Sequence, residues 1–121
     1  MKKIARNSLI KEIRNSLIES TKTLDESIVT AFKKSRDKEE NLLAKSVLDR
    51  IIENHEIAVN KDIPLCQDTG LVVVLVEIGR EIYIDFDLEE AINVGVRQAY
   101  TEGYLRKSIV KHPLSRINTL D

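Results

Sequence analysis

Residues 63–70 bring together the side chains with the most reactive chemistry in the chain. The residues that follow Pro64 and Leu65 and precede Gly70 are Cys66, Gln67, Asp68 and Thr69. A thiolate can bind soft iron. The amide and the hydroxyl can hydrogen-bond a substrate, and the carboxylate can accept a proton or anchor a neighbouring residue. These residue types could therefore form a turn that holds a metal ligand beside substrate-binding groups.

A purely structural interpretation of the same segment stays open on residue types alone. A lone cysteine is usually a small buried apolar residue, and Asp-Thr-Gly is a common turn string. Because Cys66 is the chain's one cysteine, an internal disulfide is excluded, and the composition suits a reducing cytoplasm.

Composition and charge argue against nucleic-acid and membrane partners. The net charge is −1 and aromatic residues make up 4% of the chain, so neither a basic patch nor a base-stacking platform is expected. The longest apolar run, residues 71–76, is far shorter than the roughly 20 residues that cross a bilayer. The basic N-terminus lacks the apolar stretch of a signal peptide. A length of 121 residues fits a single domain, residues 1–121.

Residues 1–60 are predicted to be helical. Apolar residues recur at helical spacing over three segments, residues 4–20, 24–34 and 39–59. Thr23, with Glu26 three positions on, predicts the cap of the second helix. His55, near the end of the third, is interpreted as a helix-surface histidine, with a ligand or base as the alternative.

Residues 61–86 are predicted to form the loop around Cys66 followed by a β-hairpin. The β-branched run at residues 71–76 favours a strand buried on both faces. Gly79-Arg80 suits a two-residue turn, and residues 81–86 alternate as a returning strand. The hairpin is expected to belong to a larger sheet.

Residues 87–121 are predicted to be a helix followed by an extended tail. Asp87 and Glu90 form a capping box, and Gly103 is a natural helix terminator. Gly95 in mid-helix indicates close approach of another backbone. The expected fold class is thus α+β, with about three N-terminal helices, a hairpin, a helix and an extended polar tail.

Three segments resemble one enzyme family. Residues 64–70 are similar to the signature Pro-(Ile/Leu)-Cys-Gln-Asp-Thr-Gly of class I, iron–sulfur fumarate hydratases and of L-tartrate dehydratase alpha subunits. Residues 91–97 with 102–110, and residues 113–119, resemble later segments in the same order. The pattern departs from the family at the end, where Leu120-Asp121 stand in place of Gly-Asp-Asn.

The resemblance implies a hydro-lyase that reversibly dehydrates a small 2-hydroxy dicarboxylate, malate to fumarate or tartrate to oxaloacetate. It implies a [4Fe–4S] cluster held by three cysteines, with one iron left open as a Lewis acid. By position, Cys66 would be one cluster ligand and Asp68 a catalytic residue. The substrate-binding positions would be Gln67, Thr69 and Arg106, the last paired with a substrate carboxylate. Weaker candidates are Arg116, Asn118 and Thr119.

The resemblance also implies partners. The other cluster cysteines would lie outside this sequence, which would then be an N-terminal fragment of an alpha region that works with a beta subunit or a C-terminal domain. The wide apolar stripe of the third helix and the run at residues 71–76 lead us to expect a homo-oligomer. The alternative is a non-catalytic interaction domain, or a truncated homologue, that keeps the fold without the chemistry.

Overall fold

The computed structural model describes residues 2–66 and 71–119. This part of the chain contains four helices and two short strands: β1 (Lys2–Lys3), α1 (Arg6–Ser20), α2 (Glu26–Lys38), α3 (Leu42–Lys61), β2 (Ile82–Tyr83) and α4 (Leu88–Glu102). The chain divides into two compact units. Unit 1 comprises Met1–Ile18 and Asp68–Asp121, and unit 2 comprises Glu19–Gln67.

Unit 2 is built around the packed pair α2 and α3. The Arg36 Nε donates a hydrogen bond of 2.7 Å to Asp49 Oδ1 and ties the two helices together. α3 is capped by Asn41, whose side-chain oxygen accepts hydrogen bonds from the backbone N–H groups of Leu43 and Ala44. Such a cap satisfies N–H groups that have no partner within the helix, so Asn41 sets where α3 starts.

The predicted cap of α2 was wrong by two residues. Asp25, not Thr23, caps the helix and accepts hydrogen bonds from the backbone and hydroxyl of Ser27. These bonds, the side-chain one first, lower the pKa of the Asp25 carboxyl. The Thr23 hydroxyl instead donates to the carbonyl of Glu19 in the preceding turn. Because a lowered folded-state pKa favours the ionised carboxylate, this contribution to stability is present at neutral pH and is lost as pH falls through that pKa.

Unit 1 is organised by close contact between α1 and α4. The residues buried here include Ile10 on α1 and Ala91 and Ala99 on α4. A Cβ atom on Gly95 would lie 2.9 Å from Cβ and Cγ2 of Ile13 and 3.1 Å from the carbonyl oxygen of Ile10. The close backbone approach that Gly95 indicated is therefore confirmed, and α1 is the element that makes it.

Replacing Gly95 with alanine should destabilise the chain. Alanine favours a helix by about 1 kcal/mol, but overpacking at a rigid contact costs roughly 1–3 kcal/mol. Since both Ile13 and the α1 backbone crowd the new methyl group, we expect a net loss of about 1 kcal/mol in the free energy of unfolding. Urea denaturation would measure it, with Asn93→Ala on the exposed side of α4 as the control. Equal stability of the two variants would contradict the close contact.

The predicted cap of α4 is confirmed, whereas its end is built differently from the expectation. Asp87 accepts a hydrogen bond from the Glu90 backbone N–H at 3.0 Å. Gly103 ends the helix with φ −84°, and it is Tyr104 that adopts the left-handed conformation, φ 54°. Glycine is required because a Cβ atom at Gly103 would lie 2.8 Å from the Ala99 carbonyl oxygen and 3.1 Å from Ile18 Cγ1.

The predicted hairpin is not formed in the part of the chain that the structure describes. The run at residues 71–76 is not a strand there, and Leu75 is 93% exposed. The turn lies one residue later than predicted, with the Ile82 N–H donating to the Gly79 carbonyl. β2 pairs in parallel with β1, Lys2 opposite Ile82. A run apolar on both faces needs a neighbouring strand on its edge and cover on each side, which residues 71–76 do not find here.

The tail was predicted to be extended, but part of it folds back on itself. Val110 and Asn118 form an antiparallel bridge, and the Lys111 N–H donates to the Ile117 carbonyl at 2.9 Å. On the other side of this bridge, the Thr119 N–H donates to the Ile109 carbonyl at 3.0 Å. The α+β class is therefore confirmed only coarsely, because the described chain is mostly helical and its strands are short and parallel.

None of the described helices is both long enough and apolar enough to cross a membrane.

Candidate functional site

The segment that carries Cys66 leaves α3 by a sharp turn. Asp62 adopts the left-handed conformation, φ 54°, and its N–H donates to the Ala58 carbonyl. The Ile63 N–H donates to the same carbonyl at 3.1 Å. A left-handed residue with these bonds is a common way to end a helix. It redirects the chain two residues before Pro64.

Two contacts tie this segment to the stretch that follows α1. The Leu65 N–H donates to the Thr21 carbonyl at 2.8 Å, and Leu65 is 9% exposed. The Lys22 ammonium lies 2.7 Å from Asp62 Oδ1. Burial of a leucine side chain contributes about 1.5–3 kcal/mol, so Leu65 is the main anchor of the segment.

The backbone of Cys66 is held by α3. Its N–H donates a hydrogen bond of 3.2 Å to Asn54 Oδ1, while the residue itself is exposed and its thiol is free. Asn54 was not predicted from the sequence to belong to the site. A pairing between residues 12 apart, across a loop, leaves no periodic signal in the sequence that would have found it.

An exposed thiol on an anchored backbone is suited to metal ligation. The thiolate is the form that binds iron. Within residues 2–66 and 71–119 there is no group of three or more His, Cys, Asp or Glu that could hold a metal. Cys66 by itself could supply one thiolate to a metal centre.

Three of the predicted site residues lie outside the described residues, namely Gln67, Asp68 and Thr69. Arg106 is described in unit 1, where it is exposed and follows the end of α4. The Leu105 N–H donates to the Tyr100 carbonyl at 3.0 Å. This bond, together with the left-handed Tyr104, fixes the direction in which the chain leaves the helix before Arg106.

The weaker candidates have identifiable structural contacts. Asn118 Nδ2 donates to the Lys107 carbonyl at 2.7 Å, and the Thr119 hydroxyl donates to the Ile109 carbonyl at 3.2 Å. Arg116 is left-handed, φ 53°, with its N–H donating to the His112 carbonyl. All three thus shape the folded-back tail, and Asn118 fixes the backbone next to Arg106.

His55 differs from its predicted surface position. It is half-buried, and within the described part of the chain its Nδ1 atom is buried with no hydrogen-bond partner.

Replacing Asn54 with alanine should loosen the backbone at Cys66 without unfolding unit 2. A single hydrogen bond contributes about 1 kcal/mol, so amide hydrogen exchange at Cys66 should speed up by about fivefold. The amide of Leu65, bonded to Thr21, should change much less. Residue-resolved NMR would measure both, with Asn60→Ala on the exposed side of α3 as the matched control. Unchanged exchange at Cys66 would show that Asn54 does not hold it.

Comparison with known proteins identifies relatives over nearly the whole chain. The profile described as fumarate hydratase (Fumerase) matches residues 10–121. The putative L(+)-tartrate dehydratase subunit alpha of Methanocaldococcus jannaschii is 39% identical over 97 residues, which are 78% of this chain and 34% of the relative. The L(+)-tartrate dehydratase subunit alpha of Escherichia coli (strain K12) is 24% identical over 110 residues, 91% of this chain and 36% of the relative.

The chain thus spans about a third of the length of the curated relatives it matches. The matched region contains Cys66 with its anchoring helix α3 as well as Arg106. The family resemblance inferred from the three sequence segments is confirmed, and the chain belongs to the fumarate hydratase (Fumerase) family.

Proposed function

We propose that this chain is part of a [4Fe–4S]-dependent hydro-lyase that reversibly dehydrates a small 2-hydroxy dicarboxylate. The family and the names of its relatives support a hydro-lyase. The observation that carries the iron–sulfur part is the exposed, free Cys66 thiol on a backbone anchored to Thr21 and Asn54. The substrates are malate and fumarate, or tartrate and oxaloacetate.

The cluster, when bound, would supply a Lewis-acidic iron that polarises the substrate hydroxyl. Cys66 would hold it through one thiolate. This chain needs only one cysteine for that role, because each cysteine thiolate forms one bond to the cluster. Because the thiol is already exposed, it could bind the cluster without any unfolding of Leu65 or α3.

The remaining steps of the proposal belong to this chain's polar residues. The Arg106 guanidinium would pair with a substrate carboxylate through two parallel hydrogen bonds and so orient the substrate. Asp68 would accept the proton next to the other carboxylate, and Gln67 and Thr69 would hydrogen-bond the substrate. Loss of that proton and of the hydroxyl group together releases one water and leaves the carbon–carbon double bond.

The proposed partner is a beta subunit or a C-terminal domain of the same enzyme. The relatives named above are alpha subunits. Large apolar side chains are exposed in each unit, Leu42 at 83% in unit 2 and Leu75 at 93% in unit 1. Exposed apolar surface of this kind is typical of contact with other chains. This exposed apolar surface supports a beta partner and a homo-oligomer. We also propose that the complex is cytoplasmic.

The second candidate is a non-catalytic interaction domain that keeps the family's fold. Its support is that the chain has one cysteine and so, by itself, a single thiolate for a cluster.

Anaerobic assay distinguishes the two candidates. The alpha protein that contains this chain would be reconstituted with iron and sulfide, combined with its beta partner, and supplied with malate, fumarate and tartrate separately. Turnover of at least one diacid, dependent on iron, supports the hydro-lyase. A folded, beta-bound complex that turns over none of them would support the interaction domain.

A further inference from the structure

We propose that a cleft between α1 and α4 in unit 1 binds a small organic acid, a carboxylate on a short carbon chain. The cleft has a volume of about 300 Å³, at the lower end of the range for small-molecule sites. None of its residues belongs to the proposed catalytic set, so this binding stands or falls independently of the hydro-lyase activity.

One face of α1 supplies most of the cleft's polar groups. Asn7, Lys11 and Arg14 line it at helical spacing, and Arg6 stands at its end. Residues three and four apart share a helix face, so these donors point to the same side of α1. Every one of the four can donate hydrogen bonds.

α4 and the buried side of α1 supply the rest of the lining. Ile10, 7% exposed, and Val94 provide apolar walls. Gln98, one helical turn after Val94, adds an amide that can donate to an anion. The lining thus combines two apolar side chains with five that can donate hydrogen bonds, a composition that suits a small, charged ligand.

Two of the cations are held in place by carboxylates of α4. Arg6 Nη2 lies 2.5 Å from Glu90 Oε2, and Arg14 Nη1 lies 3.3 Å from Glu102 Oε2. Arg14 also donates from Nε and Nη2 to Asn15 Oδ1, at 3.1 and 2.9 Å. Each guanidinium has five N–H donors, so these contacts fix the side chains and still leave N–H donors on both Arg6 and Arg14 for a ligand. Their side chains are 40% and 27% exposed respectively, which leaves both accessible from the cleft.

Lys11 is the cation that remains uncompensated. It is exposed and, in the described part of the chain, no hydrogen bond or ion pair involves its ammonium group. Three cations at the cleft face two carboxylates, so the cleft favours an anion. The walls of Ile10 and Val94 favour a ligand with carbon beside its charge over an inorganic anion, which would leave them uncovered.

NMR titration of the 15N-labelled chain with succinate tests the proposal. We expect saturable shifts of backbone amides on α1 and α4 around the cleft, and clearly weaker binding of inorganic phosphate at the same ionic strength. Lys11→Gln should weaken succinate binding by about tenfold, since it removes a charge-assisted hydrogen bond. Lys33→Gln, which neutralises an exposed lysine on α2, is the matched control and should leave the affinity unchanged.

Three results would overturn the proposal. These are the absence of saturable shifts on α1 and α4, equal succinate affinity of the Lys11→Gln and Lys33→Gln chains, and phosphate binding as tight as that of succinate. Because Lys11 is exposed and unpaired in the described chain, its replacement should not disturb folding. Hydro-lyase activity does not enter the readout.

Discussion

The complete enzyme carrying Cys66→Ser is expected to lose its iron–sulfur chromophore. A hydroxyl is a harder and poorer ligand for iron than a thiolate. Cys66 is one of the three protein ligands of the proposed cluster. After anaerobic reconstitution, the variant should show little iron and sulfide per alpha chain and little visible absorption. Dehydration of the diacid should fall with them.

The fold itself should survive this substitution. The side chain is exposed, and the anchors of the segment are the Leu65 side chain and two backbone N–H groups, none of which involves the thiol. Far-ultraviolet circular dichroism should therefore match that of the parent enzyme. A variant that retains a stoichiometric, stable cluster would remove Cys66 from the ligand set.

Replacing Arg106 with lysine is expected to separate substrate binding from cluster assembly. Lysine keeps the positive charge but replaces the planar guanidinium with a compact ammonium group. The two parallel hydrogen bonds to the substrate carboxylate are therefore lost. Hydrogen bonds to charged groups contribute about 1.5–3 kcal/mol. At about 1.4 kcal/mol per decade, kcat/KM should fall roughly ten- to a hundredfold, while the chromophore remains.

Arg50→Lys, an exposed arginine on α3, is the matched control for this change. Its kcat/KM should equal that of the parent enzyme. If Arg106→Lys were as active as Arg50→Lys, Arg106 would not bind the substrate carboxylate.

The helices could be predicted from sequence because their signals are local. Apolar spacing located α1 to α4, and Asp87 with Glu90 marked the start of α4. Gly95 indicated a close contact because glycine destabilises the middle of a helix and is expected there where a larger side chain would not fit. The cap of α2 was missed because Thr23 and Asp25 are both plausible caps two residues apart, and the prediction chose the wrong one.

β2 lies within the strand predicted at residues 81–86, but its pairing could not be predicted because pairing is decided by distant residues. The run at residues 71–76 has a strong strand composition but no partner strand in the described chain. β2 instead pairs with Lys2–Lys3, two lysines with nothing in their local sequence to indicate a strand. Whether an apolar run becomes a strand depends on what covers its edges and faces, which local sequence does not encode.

Only part of the candidate site could be predicted, because its supporting contacts, like the strand pairing, depend on residues distant in sequence. The residue types at 63–70, and their resemblance to a family signature, identified Cys66. What holds Cys66 in place, the Leu65–Thr21 and Cys66–Asn54 hydrogen bonds, depends on the return of the chain past α3 and past the end of α1. That return is a tertiary feature, so the sequence could single out Cys66 but not the contacts that hold it.

Alkylation of Cys66 in the complete enzyme tests the central claim most directly. The cluster-loaded enzyme and the same enzyme stripped by a chelator would be treated anaerobically with iodoacetamide, and modification at Cys66 would be quantified by mass spectrometry. We expect Cys66 to be protected in the loaded enzyme and modified in the stripped one, because a thiolate bound to iron cannot be alkylated, whereas the Cys66 thiol is exposed at the surface of this chain. Equal modification in both states would contradict the assignment of Cys66 as a cluster ligand.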